Sequence, residues 1–245
     1  EPRLTYLQYN LRKPPFNQLL LRSAIGAAMN RTALTDEIPA FAAVAPGLPD
    51  AAVGKDFRAV GGGMLVADCD LNMARRLLGV AGYPNGVGLP ELSLIYVDNP
   101  RNQAFVAAVV ASLGEIGLKV VPTAVNWPEF QRRLAAGEFD LARMGWTADY
   151  PDPYSFLSLF ASDAPTNFGG YQSEAYDQAL RAAATTDAIQ RMAALHRAES
   201  ILFEDLPIVP VTFGRQVYLT QTYVRDLAYT FYGVPLFHRA WLEAH

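Results

Sequence analysis

Between Glu91 and Trp146 the chain changes periodicity four times, and that succession leaves few folds open. Glu91–Val97, Lys119–Val125 and Asp140–Trp146 are short, partly apolar runs of strand length. Between the first two, Arg101–Leu118 sets Phe105, Val106, Val109, Val110, Leu113 and Ile116 on one helical face, with Gly117 to end it. Pro128–Ala136 reads as a second helix. Strand–helix–strand–helix–strand at these lengths predicts a parallel βαβ-type sheet with right-handed crossovers, hence an α/β fold.

The flanking segments extend the pattern. Leu4–Asn10 alternates apolar and polar residues as a strand does, and Asn17 is placed to cap a helix through Leu20, Leu21, Ala24, Ile25, Ala28 and Met29. A second short helix is expected over Thr32–Ile38. Residues 39–68, rich in Ala, Gly and Pro, read as one long loop, a length uncommon in compact domains unless it wraps another surface. Asp70 caps a predicted helix through Met73, Ala74, Leu77 and Leu78 that ends at Gly82. Later come helices over Pro153–Phe160, Glu174–Ala184 and Ala188–Glu204, then returning strands at Ile208–Phe213 and Gln216–Thr220. Val224–His245 is aromatic-rich without periodicity.

Chemistry concentrates in Asp140–Pro153, where a strand breaks into a loop at Thr147-Ala-Asp-Tyr-Pro. Open α/β sheets bind ligands outside the carboxyl ends of their strands. Arg143 offers a planar fork for a carboxylate, Asp149 a fixed negative charge for an amine, and Trp146 and Tyr150 apolar walls. These residue types together suit a zwitterionic ligand. The competing reading is a surface ion pair beside a core tryptophan.

Composition excludes several classes. Apolar residues make up 51% and charged residues 18% of the 245, the balance of a folded globular chain. With a net charge of −4 and no basic cluster, nucleic-acid binding is not expected. No apolar run approaches the roughly 18 residues that span a bilayer. One cysteine, Cys69, rules out an internal disulfide or a cysteine metal cluster. The chain opens Glu-Pro-Arg, which reads as processed or truncated. No nucleophile elbow, His-Glu-x-x-His pair or phosphate loop is present. His196 falls mid-helix, and His238 and His245 in the tail. Asp149 and Asp152 imitate a carboxylate pair, but three residues of a proline-broken loop do not define the spacing that acid–base catalysis needs. Neither an enzyme nor a cofactor or metal is expected.

Six pieces in order resemble the family 5 extracellular solute-binding proteins of bacterial ABC transporters, the oligopeptide and dipeptide receptors. They are Tyr6-Leu-Gln-Tyr-Asn10 with Pro15-Phe16, Arg22-Ser-Ala-Ile25 and Ala28-Met-Asn-Arg31; Pro46-Gly-Leu-Pro49; Asp70 with Ala74-Arg-Arg-Leu-Leu78 and Ala81-Gly-Tyr-Pro84; Phe139-Asp140; Gly145-Trp146 with Asp149-Tyr-Pro-Asp-Pro153; and Leu206-Pro-Ile-Val-Pro210. The resemblance implies a periplasmic-binding-protein-like (type II) lobe whose mixed, largely parallel sheet is flanked by helices. Residues 1–220 would be the second, C-terminal lobe, and 221–245 a tail that returns to a first lobe lying before Glu1.

The same resemblance implies the function: capture of short peptides between two lobes and delivery to the permease subunits of an ABC importer. The setting is periplasmic or extracellular, with the membrane reached only through the permease or a lipid anchor. Asp149 matches the acidic residue that binds the peptide's α-ammonium group, and Arg143 stands where an arginine can meet its carboxylate. Trp127 and Trp146 match aromatics that flank side-chain pockets, with Tyr150, Asn167 and Phe168 as further lining residues. A capping role for Asp149, a surface partner for Arg143 and core packing for the tryptophans are the plainer alternatives. Other ligands on the same scaffold, such as a nickel chelate, an opine or a sugar, remain open, as does a sensory role.

Overall fold

A computed structural model describes residues 2–34, 37–65 and 68–244. The first alternating run forms β1 (Arg3–Tyr9). The helix after it, α1 (Leu19–Ala28), is entered through Gln18, not Asn17, and no side chain caps it. Burial of Leu21, Ala24 and Ile25 holds it instead, since packing outweighs local signals in a helix this short. α2 (Arg31–Leu34) is shorter than expected: Ile38 lies in a two-residue strand, β2 (Ile38–Pro39), and positions 35 and 36 fall outside the described residues. The stretch 39–68 is not all loop. It contains α3 (Phe57–Gly61), capped by Asp56, while positions 66 and 67 lie outside the described residues.

From there the observed order follows the periodicity. α4 (Leu71–Val80) is capped by Asp70, which accepts from Met73 N. Then come β3 (Leu92–Val97), α5 (Pro100–Gly114), β4 (Val120–Val125), α6 (Trp127–Ala136) and β5 (Leu141–Thr147). Asn99 and Asn126 cap α5 and α6, each with proline in the first turn. α7 (Tyr154–Leu157) runs into a 3-10 turn at Ser158–Phe160, and α8 (Glu174–Ala182), α9 (Ala188–Asp205) and β6 (Ile208–Phe213) follow. The strand expected at Gln216–Thr220 does not form. Val217 and Leu219 are 71% and 99% exposed, and among the described residues no backbone ladder pairs this stretch, although Tyr218 packs its ring on Tyr229. Beyond it lie two-residue ladders only, Val224–Arg225 with Trp241–Leu242 and Ala228–Tyr229 with Pro235–Leu236.

The six strands are ordered β2-β6-β1-β5-β3-β4. β3 runs parallel to β4 and β5, β1 runs antiparallel to β5 and β6, and β2 runs antiparallel to β6. β3, β4, β5 and β6 therefore share one direction, giving the mixed, largely parallel sheet of an α/β fold. Helices cover both faces. Leu7, Tyr9, Leu94 and Leu141 pack beneath α1, α4 and α5, whereas Leu4, Tyr6, Ile208 and Phe213 pack against α7, α8 and α9. A smaller cluster joins Ile95 and Ala142 to Phe130 and Leu134 of α6. Alternation along each strand sends successive side chains into different layers.

Candidate ligand-binding site

Because β3, β4 and β5 are parallel, the loops after them emerge at one end of the sheet, carrying Asn99, Trp127 and Asp149 respectively. β5 is unusual among them. Its β1 side is paired along its whole length, from Leu141 opposite Tyr9 to Thr147 opposite Arg3. On its other side β3 pairs only at Leu141 and Ala142. From Arg143 to Thr147 that edge has no strand partner among the described residues. The bond that holds the two strands up to this point is made by Asp140. One carboxylate oxygen accepts from Ser93 N (2.8 Å) and Ser93 Oγ (2.7 Å), and the other meets Lys13 Nζ at 2.9 Å.

Arg143 and Trp146 leave β5 on opposite faces, as the pleat requires. Arg143 is half-buried over the ring of Phe105, its Cζ 5.5 Å from the centroid. Its Nε is buried without a partner, and no carboxylate among the described residues pairs with its guanidinium. Burial first, then repulsion from Arg101 and Arg3, pushes its pKa down to about 10. Those two neighbours are engaged with Glu37, whose other oxygen accepts from Thr212 Oγ1 at 2.6 Å. Arg143 is thus the cation in this group that lacks a counter-charge among the described residues, and not a strand cation with a surface partner.

Asp149 sits beyond the other end of the open edge and is exposed. Its backbone is fixed: its N–H donates to Ser155 Oγ (2.9 Å), and Tyr232 donates its hydroxyl to the Asp149 carbonyl (2.7 Å). Among the described residues nothing occupies its carboxylate. The side chain that bonds at the start of α7 is that of Asp152, whose Oδ1 accepts from Tyr154 N at 2.8 Å, while the cap position itself is Pro153 and makes no side-chain bond.

The aromatics divide. Trp127 opens α6, 56% exposed, with its ring stacked on Phe130 (centroids 6.0 Å apart). Trp146 is half-buried against the Leu4–Tyr6 core, yet its indole N–H is enclosed without an acceptor. Tyr150 is 44% exposed beside Asp149, and burial followed by the nearby Asp152 raises its hydroxyl pKa. Asn167 and Phe168 are not gathered to the open edge. Asn167 Nδ2 donates to Ala161 O and Tyr171 O while Oδ1 accepts from Tyr171 N, so its amide closes its own loop. Phe168 packs against the α6 cluster, and both residues wall a separate cavity of about 570 Å³ with Arg12 and Gln172.

Ser155, Glu37, Arg3 and Arg101 belong to the surroundings of the site and were not among the residues picked from sequence. Ser155 carries a local signal, a hydroxyl six residues after Asp149 at a helix start. Glu37 carries none, because Arg3 and Arg101 reach it from 34 and 64 residues away. Among the described residues no His, Cys, Asp and Glu cluster suits a metal, and no helix is long and apolar enough to cross a membrane.

The family described as bacterial extracellular solute-binding proteins, family 5 Middle, matches residues 1–168. The dipeptide-binding protein DppE of Bacillus subtilis (strain 168) is 29% identical over 235 residues, covering 91% of this chain and 42% of its own length. The probable deoxycholate-binding periplasmic protein YgiS of Escherichia coli (strain K12) is 30% identical over 229 residues, covering 91% and 42%. This chain therefore spans less than half the length of both relatives. The crystal structure of a peptide-binding protein of a peptide ABC transporter superposes with a TM-score of 0.78 at 28% identity, over 86% of this chain and 99% of that one.

Proposed function

The chain belongs to the family 5 bacterial extracellular solute-binding proteins, and from that premise we propose that it captures short peptides as the second lobe of an ABC importer's binding component. The observation that carries this reading is the vacant edge of β5, with an uncompensated guanidinium at one end and an unoccupied carboxylate beyond the other. A peptide laid along that edge completes the ladder with its own main chain, as in strand addition. Its ammonium group meets Asp149 and its carboxylate meets Arg143, so it runs antiparallel to β5.

Each contact answers a physical need. The guanidinium is raised in energy by burial among like charges, and a carboxylate relieves that cost with a paired hydrogen bond. Main-chain pairing is blind to sequence, and the exposed rings of Trp127 and Tyr150 offer apolar faces to varied side chains. Closure of a first lobe over the ligand supplies the remaining contacts, as in hinge-type receptors. The permease is the partner that receives the peptide, outside the cytoplasm, and no catalytic step is assigned to Asp149 and Asp152.

A bile-acid-type ligand is the second reading, favoured by the similarity to YgiS. Such a ligand carries a carboxylate for Arg143 but no amine for Asp149. NMR titration of the 245-residue chain with tripeptides, run beside the same peptides N-acetylated, separates the two readings. Weak binding, about millimolar, with shifts over 143–149 that vanish on acetylation is the expected outcome. Equal binding of both forms removes the amine assignment. Micromolar or tighter binding by this chain alone removes the need for a second lobe.

A further inference from the structure

Asp149 stands exposed on a turn whose two ends, Ala148 and Ser155, are buried, and its carboxylate has no bond of its own among the described residues, so its direction follows from how the turn between them is held. Most of the turn's bonds are its own. Asp152 N donates to Tyr150 O (2.8 Å), Ser155 N donates to Asp152 O (3.0 Å), Tyr154 N donates to Asp152 Oδ1 (2.8 Å), and Asp149 N donates to Ser155 Oγ (2.9 Å). Ser155 is buried and anchors the carboxyl side. The Asp152 carboxylate also receives a guanidinium from outside, that of Arg191 in the first turns of α9. Arg191 Nη1 lies 2.9 Å from Oδ2, and Nη2 donates to Oδ1 at 3.1 Å.

We infer that Arg191 is a positioning residue for the amine site: by gripping Asp152 from α9 it fixes the 149–155 turn in the form that presents Asp149 to the ligand. The inference rests on the assignment of Asp149 to the ligand's amine. Nη2 makes the hydrogen bond, while Nη1 stands in ion-pair range of Oδ2 without hydrogen-bonding to it, so one directed bond and a second charge contact hold the carboxylate, which a lysine's single ammonium does less well. Both side chains are 25% exposed, enough to relax when the partner is removed but sheltered enough for the pair to hold. Arg191 also lines a cavity of about 650 Å³ with Tyr154 and Arg181. There is consequently room behind the turn for it to shift once the grip is gone. Arg181, on the same cavity, pairs with Glu174 of its own helix at 2.6 Å and does not hold the turn.

The test uses the 245-residue chain carrying Arg191→Gln, Arg191→Lys or, as a control, Arg181→Gln. Amide exchange needs no ligand. Asp149 and Tyr154 amides should exchange about tenfold faster in R191Q, partly recover in R191K, and stay unchanged in R181Q. In the NMR titration R191Q should lose about tenfold in affinity for free tripeptides, the scale of one misplaced charged hydrogen bond. Its affinity for N-acetylated tripeptides should stay as it was. Unchanged exchange at Asp149 overturns the inference. So does a wild-type preference for free over acetylated peptide that R191Q keeps, or an equal loss of both peptides; in those cases the amine assignment survives. A wild-type chain that binds both peptides equally removes the amine assignment itself, and the role of Arg191 with it.

Discussion

Arg143 is held at a disadvantage that a ligand would relieve. Its depressed pKa means that folding disfavours its charged form relative to the unfolded chain. Below about pH 10 both states carry the proton, so the cost is constant across the neutral range. Above that value the folded state gives up its proton first, and stability rises with pH until the unfolded arginine titrates too. Replacing Arg143 with Met should raise the thermal midpoint of the ligand-free chain by the equivalent of about 1 kcal/mol. The same change should weaken binding of a peptide acid to the level of its C-terminal amide. Melting curves with and without each ligand measure both effects, and a lower midpoint for ligand-free R143M would show that the guanidinium stabilises the fold. The sequence marked Arg143 and Asp149 through charge type and place after a strand. It could not mark their isolation, which depends on Arg3, Arg101 and Glu37 pairing with one another across the sheet. Nor could it mark that the Asn167 amide is engaged with Tyr171 in its own loop and that the residue walls a cavity away from the open edge.

Among the elements, β5 is tied to β3 by Asp140, the residue just before the strand, whose carboxylate holds Ser93 beside the short stretch in which the two strands pair. Burial pulls the Asp140 carboxyl up, but Lys13 and the two Ser93 donors together hold it below the usual carboxylate range. A carboxyl with a lowered folded pKa stabilises above its unfolded value and loses that contribution as pH falls through the folded one. Asp140→Asn should therefore cost about 1 kcal/mol near neutrality and flatten the acid limb of the stability curve. An acid titration followed by circular dichroism gives the answer, and an unaltered limb would show that Ser93 and Lys13 contribute nothing net. Elements with their own periodicity, from α4 through β5, were legible because a 3.6- or 2-residue repeat is a local property. α3 was not, because it is made by distant partners. Glu199 of α9, fully buried, accepts from Ala43 N and Val44 N and pairs with Arg58, folding the proline-rich stretch back on itself. Conversely, Gln216–Thr220 alternates like a strand but, among the described residues, gains side-chain contacts with Tyr229 and no backbone ladder, and alternation without a ladder is not a strand.

Over the whole molecule, the six-stranded sheet ends just before Gly214, whose N–H donates to Arg3 O, and the chain beyond it packs Phe231 on the core but leaves many apolar side chains exposed. Phe237, Trp241 and Leu242 are 69%, 51% and 67% exposed, and Val217 and Leu219 are more so. Such a surface favours self-association. A chain ending at residue 215 should keep its helical circular dichroism and elute as a monomer at concentrations where the 245-residue chain elutes as larger species. Loss of the fold on truncation would make the tail part of the core instead, through the Phe231 and Tyr232 contacts. The unfilled side of β5 bears on the molecule in another way. A guest that supplies the missing strand becomes for a time a seventh member of the sheet, so occupancy and rigidity are read by one dial. On the proposed reading, a melting experiment is then also a census of cargo: the shift would register a lodger's backbone and two ends, whatever side chains it carries.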